Sequence, residues 1–388
     1  MKYYTEGRVP AKMWLNEIED SAMAQVKNLC NLPFAYKHIA IMPDSHMGYG
    51  MPIGGVLAAE NVLVPNAVGV DIGCGMIAVN LNIPAPPVHI IKEIMGHIRQ
   101  RIPVGFNSRD TALGYEIDLP DGYSHIRAQF GLDSQKTRCQ MGTLGGGNHF
   151  IELQQDENGS LWVMIHSGSR NLGKRVCEHY NKLAMELNAK WHVSVPHEHE
   201  LAFLPLGTEE GHEYRSLMWY CIDWAKMNRE KMLDQVLRVF TEDRGVDIFP
   251  GYPIDTKHNY AADECHSGTI VQVHRKGAVR AQKDEIVIIP GSQGTKSYIA
   301  RGLGNPHSFE SCSHGAGRRM SRSAASKTLD LQQQVKIMDD KGIVHGIRTE
   351  KDLDEAPGAY KDIDEVMENQ KDLVEIVHTL TPLGVIKG

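Results

Sequence analysis

Gly69-Val-Asp-Ile-Gly-Cys-Gly75 is the stretch on which the reading of this chain turns. Asp71 and Cys74 stand three residues apart, wrapped in glycines. Glycine lets a backbone turn tightly, so two side chains can be brought to one point. A carboxylate and a thiolate at one point suit a cation better than a packed core, provided the thiol is deprotonated. Elsewhere the chain offers histidines in similar glycine-rich settings.

The bulk composition permits this. The chain has 388 residues, 41% hydrophobic and 23% charged, enough for one large core. Its 37 glycines exceed ordinary usage. Seven cysteines are odd in number and never form Cys-x-x-Cys, which points to a reducing cytoplasm rather than a disulfide framework. No apolar run is long enough to span a bilayer, and the first residues lack a signal-peptide pattern. A net charge of -7 argues against broad nonspecific nucleic-acid binding. Three local basic clusters remain: Arg170/Lys174/Arg175, Arg275/Lys276/Arg280 and Arg318/Arg319/Arg322/Lys327. Each is either a solvated face or, beside its glycine-rich motif, a phosphate site.

Residues Ile39–Met42, Met76–Ile83, Leu161–Ile165, Thr269–His274 and Glu285–Ile289 read as strands. Ile90, Ile91, Ile94, Met95, Ile98 and Ile102 make one helical stripe. Arg215–Phe240 is the longest helical pattern, with Cys221, Trp224, Ala225, Met232, Val236 and Phe240 as its core side. Asp362–Thr379 reads as a last amphipathic helix, and Trp191–Gly211 as a loop or insertion. The chemistry-bearing motifs run from residue 44 to the end, which argues for one interwoven domain over 1–388.

Each motif has an ordinary alternative. In Met42-Pro-Asp-Ser-His46, Asp44 and His46 can point to one side of extended backbone, or form an Asx turn with a surface histidine. Gly145-Gly-Gly-Asn-His-Phe-Ile-Glu152 places His149 after three glycines, with Asn148 for phosphate or a hydroxyl, Phe150 for stacking on a base and Glu152 as an acceptor. The alternative is a glycine-rich hairpin with a core Phe. His166 ends an apolar strand in Ile165-His-Ser-Gly-Ser-Arg170, and His258 sits in a polar loop. Asp71, Cys74, His149, His166 and His258 together make a mixed O/S/N set for one or two cations, with Cys74 able to bridge. Donor softness leaves zinc, magnesium and manganese all open.

Pro290-Gly-Ser-Gln-Gly-Thr-Lys-Ser297 lacks Walker A spacing but can form a nest of backbone N–H groups. In Cys312-Ser-His-Gly-Ala-Gly-Arg-Arg-Met-Ser-Arg322, His314 looks like a nucleophile beside a phosphate cradle, since histidine can attack phosphorus. Arg318 and Arg322 would share a face if helical. The alternative makes His314 a helix cap. His197 and His199 look like a metal pair but lie in a solvated loop, and His274 reads as positional.

These segments, with Arg275-Lys-Gly-Ala278, Tyr360-Lys-Asp-Ile363 and the terminal Ile386-Lys-Gly388, run in one order across nearly the whole chain. In that combination the chain resembles the RtcB family of RNA-splicing ligases, which join RNA 3′-phosphate to 5′-hydroxyl ends. The resemblance implies the family's own α/β (α+β) fold with a central metal-bearing cleft, two Mn(2+) ions and GTP. Cys74 would bridge the metals, with Asp71, His149, His166 and His258 completing them. His314 would become guanylylated, and Asn148, Phe150, Glu152, Ser292, Gly315, Ala316, Gly317, Tyr360 and Lys387 would surround GMP. Asp44, Arg170, Arg318 and Arg322 would meet RNA ends or phosphates. A 2′,3′-cyclic phosphate would first be opened to a 3′-phosphate. The family pattern departs at Gln293, where Met is expected. No Lys-x-Asp-Gly motif of lysine-dependent ligases occurs, which suits a histidine nucleophile. Two other classes compete. A binuclear phosphoesterase would use the same ligands but has no need of His314 beside Gly-Ala-Gly-Arg. A non-catalytic RNA-binding protein needs no ligand set at all.

Overall fold

A computed structural model describes residues 1–114, 117 and 124–388. Two large sheets organise it. One has six strands in the order Lys2–Tyr4, Ala11–Met13, Ala35–His46, Ile53–Ala59, Thr269–Lys276, Asn259–His266. The other has seven, in the order Ile254–Lys257, Gly75–Pro84, Ser160–Ser167, Phe150–Gln155, Val374–Lys387, Ser297–Gly302, Ile286–Ile289. Neighbours are antiparallel except Ala11–Met13 beside Ala35–His46. The chain passes from the second sheet to the first at one residue, His258.

The strand Gly75–Pro84 is buried on both faces, which is why it reads as a continuous apolar run. Its alternate residues divide two cores. Ile77, Val79 and Leu81 meet Ile91, Ile94, Met95 and Ile98 of the helix Val88–Arg101, and Met232 and Val236 of the helix Glu209–Arg238. Met76 and Ala78 face Phe150, Trp162, Ile288 and Ile299 on the other side. All six residues assigned to the core side of the long helical pattern are buried.

The five expected strands form, lengthened or trimmed at their ends. The last expected helix does not. Its first part is the helix Ile363–Asn369, but Val374–Lys387 is a strand between Ser297–Gly302 and Phe150–Gln155. Val374, Ile376, Val377, Thr379 and Thr381 are β-branched and pack well on a pleated surface, and two flanking strands pair with them. The segment after Trp191 is irregular, with a 3-10 turn at His197–His199, and Gly211 belongs to the long helix.

Candidate metal and nucleotide site

One end of the seven-stranded sheet gathers the expected ligands. Antiparallel pairing sets the start of Gly75–Pro84 beside the end of Ser160–Ser167, with Met76 opposite His166. The start of Phe150–Gln155 lies next, with Phe150 also opposite His166. Lys387, at the end of the last strand, pairs with Phe150. On the other flank Lys257 pairs with Gly75, which delivers His258. Thus Cys74, His149, His166, His258 and Lys387 all stand at one sheet edge, because five neighbouring strands alternate in direction. Gly73, between Asp71 and Cys74, has φ 74°, and a Cβ there would stand 2.8 Å from Ile222 Cα. Only glycine lets that loop press against the long helix.

Two ligand groups share a sulfur: Cys74, His166 and His258 form one, and Asp71, Cys74 and His149 the other. Cys74 Sγ lies 3.1 Å from His166 Nε2 and 3.5 Å from His149 Nε2. His149 Nε2 is 3.1 Å from Asp71 Oδ2, and the Nε2 atoms of His166 and His258 are 3.3 Å apart. His149 Nδ1 donates to the Leu144 carbonyl and His166 Nδ1 to that of Asn148, both at 3.0 Å. Those bonds fix the tautomers and aim both Nε2 lone pairs at the sulfur. His258 Nδ1 is buried without a hydrogen-bond partner among the described residues. Burial, reinforced by neighbouring histidines, lowers the pKa of His166 and His258, keeping them in the neutral, ligating form. Burial and then Asp71 push the Cys74 thiol up, so a thiolate here requires a cation. Converging lone pairs, a carboxylate and a shared sulfur fit divalent cations.

The long helix holds this end from behind, a role its sequence does not announce. Arg229, fully buried, forms a paired bond to both oxygens of Asp255 at 2.8 Å and donates to the carbonyls of Gly73 and Ser167. Asn228 accepts from the amides of Gly142 and Thr143 and donates to Ser167 Oγ. Two helix residues therefore fix the loops before His149 and after His166.

His314 follows the short strand Ser311–Ser313 and caps no helix. Its Nδ1 lies 2.7 Å from Asp44 Oδ2, which also accepts from the His314 backbone amide at 3.1 Å. Asp44, which the resemblance would place near RNA ends, is fully buried beneath this ring. A carboxylate can only accept, so Nδ1 carries the proton and Nε2 presents its lone pair. Gly317 has φ 72°, and a Cβ there would come 2.1 Å from Asp44 O, so the loop after His314 closes on Asp44 only with glycine. The rings of His314 and His258 stand 4.8 Å apart.

A cavity of ≈ 900 Å³ runs from the ligand cluster past His314 to a charged end. Asn148, Phe150, Glu152, Ser292, Gly315, Ala316, Gly317, Tyr360 and Lys387 all line it. The ammonium of Lys387 lies over the Phe150 ring at 5.3 Å. Glu152 is buried with Oε1 unpartnered among the described residues, and burial pushes its carboxyl up to about 8 despite a bond from Gln154. Arg318 and Arg322 line the same cavity but do not share a helix face, because the helix begins at Arg322 and Arg318 lies in a bridge with Tyr360. They converge on Glu355, a buried carboxylate that no sequence motif marks. Gln293, the departure from the family pattern, is buried and donates to the Glu355 carbonyl at 2.7 Å.

Several other basic candidates hold structural partners. Arg170 donates to Thr143 Oγ1 and the Gly105 carbonyl. Arg275 is fully buried on Glu264, which rules it out as a phosphate contact. Lys276 Nζ does reach the cavity wall, where it donates to the carbonyls of Tyr49 and Asn66, and burial lowers its pKa to about 8. His197 and His199 stand outside the ligand groups found among the described residues.

The family described as tRNA-splicing ligase RtcB matches residues 25–119 and 122–388. The chain is 37% identical to an RNA-splicing ligase RtcB of Escherichia coli K12, across 99% of this chain and 98% of the relative. It is 31% identical to a tRNA-splicing ligase RtcB of Thermococcus kodakarensis, across 100% and 96%, and 31% identical to one of Archaeoglobus fulgidus, across 100% and 96%. On matches that span almost all of its length, this chain belongs to the RtcB family.

Proposed function

We propose that this protein is an RNA ligase that uses GTP and two manganese ions to join RNA 3′-phosphate or 2′,3′-cyclic phosphate ends to 5′-hydroxyl ends. One observation carries the reading. His314 holds its Nδ1 proton on buried Asp44, 2.7 Å away, in the cavity that also contains the Cys74 ligand groups and the Lys387 end. A hydrolase using the ligand groups alone has no need of such a histidine.

In this reading Asp71, Cys74, His149, His166 and His258 would hold the metal ions, and the wall formed by Phe150, Glu152, Ser292, Tyr360 and Lys387 would seat GMP. Bound divalent cations would neutralise phosphate charge and favour in-line displacement. His314 Nε2 attacks the α-phosphorus of GTP. The bond to the β-phosphate oxygen breaks, and pyrophosphate leaves with its electron pair. Asp44 stabilises the positive imidazole as the P–N bond forms. An oxygen of the RNA 3′-phosphate then attacks the same phosphorus, and the P–N bond breaks, returning the electron pair to Nε2. The 5′-hydroxyl attacks the activated 3′-phosphate, loses its proton and expels GMP. A cyclic phosphate is first opened by water to a 3′-phosphate. Phe150 and Lys387 suit a purine and its carbonyl edge, while Glu152, once ionised, suits its N–H edge. Residues 1–388 act as one catalytic unit, since the last strand completes the site built by earlier ones. A reducing cytoplasm suits a site that depends on the Cys74 thiolate.

The test is incubation with manganese and GTP labelled at the α-phosphate, followed by a denaturing gel, with His314→Ala alongside. Label held by the unmodified protein and lost in the variant is expected. Equal label in both would remove His314 from the chemistry. No label with manganese bound would favour a phosphoesterase.

A further inference from the structure

Glu355 ends the 3-10 segment Glu350–Glu355 and is buried. Its two oxygens serve different partners. Oε1 accepts from Arg318 Nη1 at 3.1 Å and Arg322 Nε at 2.8 Å. Oε2 accepts from the Tyr360 hydroxyl and lies 3.6 Å from Lys387 Nζ. Three cations thus meet one carboxylate, which leaves excess positive charge facing the cavity. Burial by itself would raise the Glu355 carboxyl, but Lys387, Arg318 and Arg322 outweigh it and hold it down at about 2.

The three cations differ in freedom. Arg318 also donates to the carbonyls of Asp354 and Met320 and lies over the Tyr360 ring at 5.2 Å. Lys387 sits at a strand end with Asn148 O at 3.4 Å. Arg322 has no second acceptor among its hydrogen bonds to the described residues, and its side chain is 51% exposed. Its guanidinium lies against Gly147 of the glycine loop, where a Cβ would come 2.9 Å from Nη2.

We infer that Glu355 is a positioning residue that couples the nucleotide end of the cavity to the binding of an RNA phosphate, with Arg322 as the arm that exchanges between them. This rests on the ligase reading. One oxygen holds Tyr360 and Lys387 in place for the guanine nucleotide. The other holds Arg322 in reserve. When an RNA 3′-phosphate enters, Arg322 trades the Glu355 carboxylate for a phosphate oxygen, a ligand of the same fork geometry. Arg318 stays behind and keeps Glu355 paired. Gln293 steadies the device through its bond to the Glu355 backbone.

The neutral isostere Glu355→Gln separates the two halves. Lys387 and Tyr360 lose their charged acceptor, so the KM for GTP in His314 labelling rises about ten-fold, the worth of one charge-assisted hydrogen bond. Arg322 is released, so binding of a short RNA bearing a 3′-phosphate, read by fluorescence anisotropy, tightens. Arg322→Ala gives the mirror image: weaker RNA binding and an unchanged KM for GTP. Opposite movement of the two readouts is the expected result, and a general loss of structure would weaken both. Parallel weakening in Glu355→Gln, or no change in either readout, overturns the coupling. Failure of the unmodified protein to label with GTP would sink the ligase reading itself.

Discussion

The two ends of the cavity are built by different means. The metal end is made by backbone: five strand ends, in fixed register, present Cys74, His149, His166, His258 and Lys387, and carbonyls of Leu144 and Asn148 lock two of the rings. The charged end is made by side chains from irregular segments, where Arg318, Arg322, Tyr360 and Lys387 meet on Glu355. Register cannot shift by one residue without turning every side chain to the other face. A charge cluster can exchange partners at modest cost. A rigid end suits metal ligation and an adjustable end suits a substrate that arrives and leaves. Lys387 belongs to both, placed by a strand and paired by charge.

Breaking the rigid end should have the largest effect. Cys74→Ser removes the atom common to both ligand groups, so manganese affinity, measured by titration calorimetry, should fall beyond the roughly 10–100-fold typical of outer-sphere changes. Lys387→Met at the adjustable end should leave that affinity within about two-fold while GTP labelling weakens, since ligation and charge pairing are separate there. Equal loss of manganese in both variants would erase the distinction.

Asp44→Asn keeps the shape under His314 and removes the charge that holds Nδ1–H. The single-turnover labelling rate should drop on the order of ten-thousand-fold, as when a catalytic histidine loses its orienting carboxylate. A rate within a few-fold of the unmodified protein would mean that Asp44 serves only packing.

Arg229→Met tests whether the helix is what stiffens the metal end. It abandons Asp255 and two loop carbonyls, and should cost about 3 kcal/mol in urea unfolding. A midpoint unchanged in the variant would show that the strands alone suffice.

The smallest expected effect lies at Glu152, and its sign follows from burial. Its carboxyl titrates at about 8 when folded, against an ordinary value of 4.5. The folded state therefore holds a proton that the unfolded chain has lost between those values. Its contribution is full below 4.5 and falls away as pH rises towards 8, by a few kcal/mol at most. Glu152→Gln should flatten that fall in a set of unfolding curves. An unaltered pH slope would mean that the carboxylate finds a partner in solution.

Much of the site was legible because glycine, histidine and cysteine were packed into short motifs. Asp71, Cys74, His149 and His166 each sit in such a stretch, and each arrives at the sheet edge. Asn228, Arg229 and Glu355 carry no such mark. The first two lie inside a helix whose apolar side dominates its pattern, and their partners are 26 to 156 residues away in sequence. Asp44 was visible as a site residue, but its burial under His314 depends on a partner 270 residues distant. The last strand was misread as helix because its apolar spacing fits both periods over a short run, and only pairing with Phe150–Gln155 and Ser297–Gly302 decides between them.

The sequence by itself determined the donor types, the nucleophile candidate, the family pattern and most strands, since these follow from side-chain chemistry and short-range periodicity. Tertiary structure alone decided that Asp44 orients His314, that Arg229 and Asn228 brace the ligand loops, and that Glu355 gathers the cations. Hydrogen bonds and charge pairs form between groups that meet in space, and local sequence carries no record of which distant segment will fold against it.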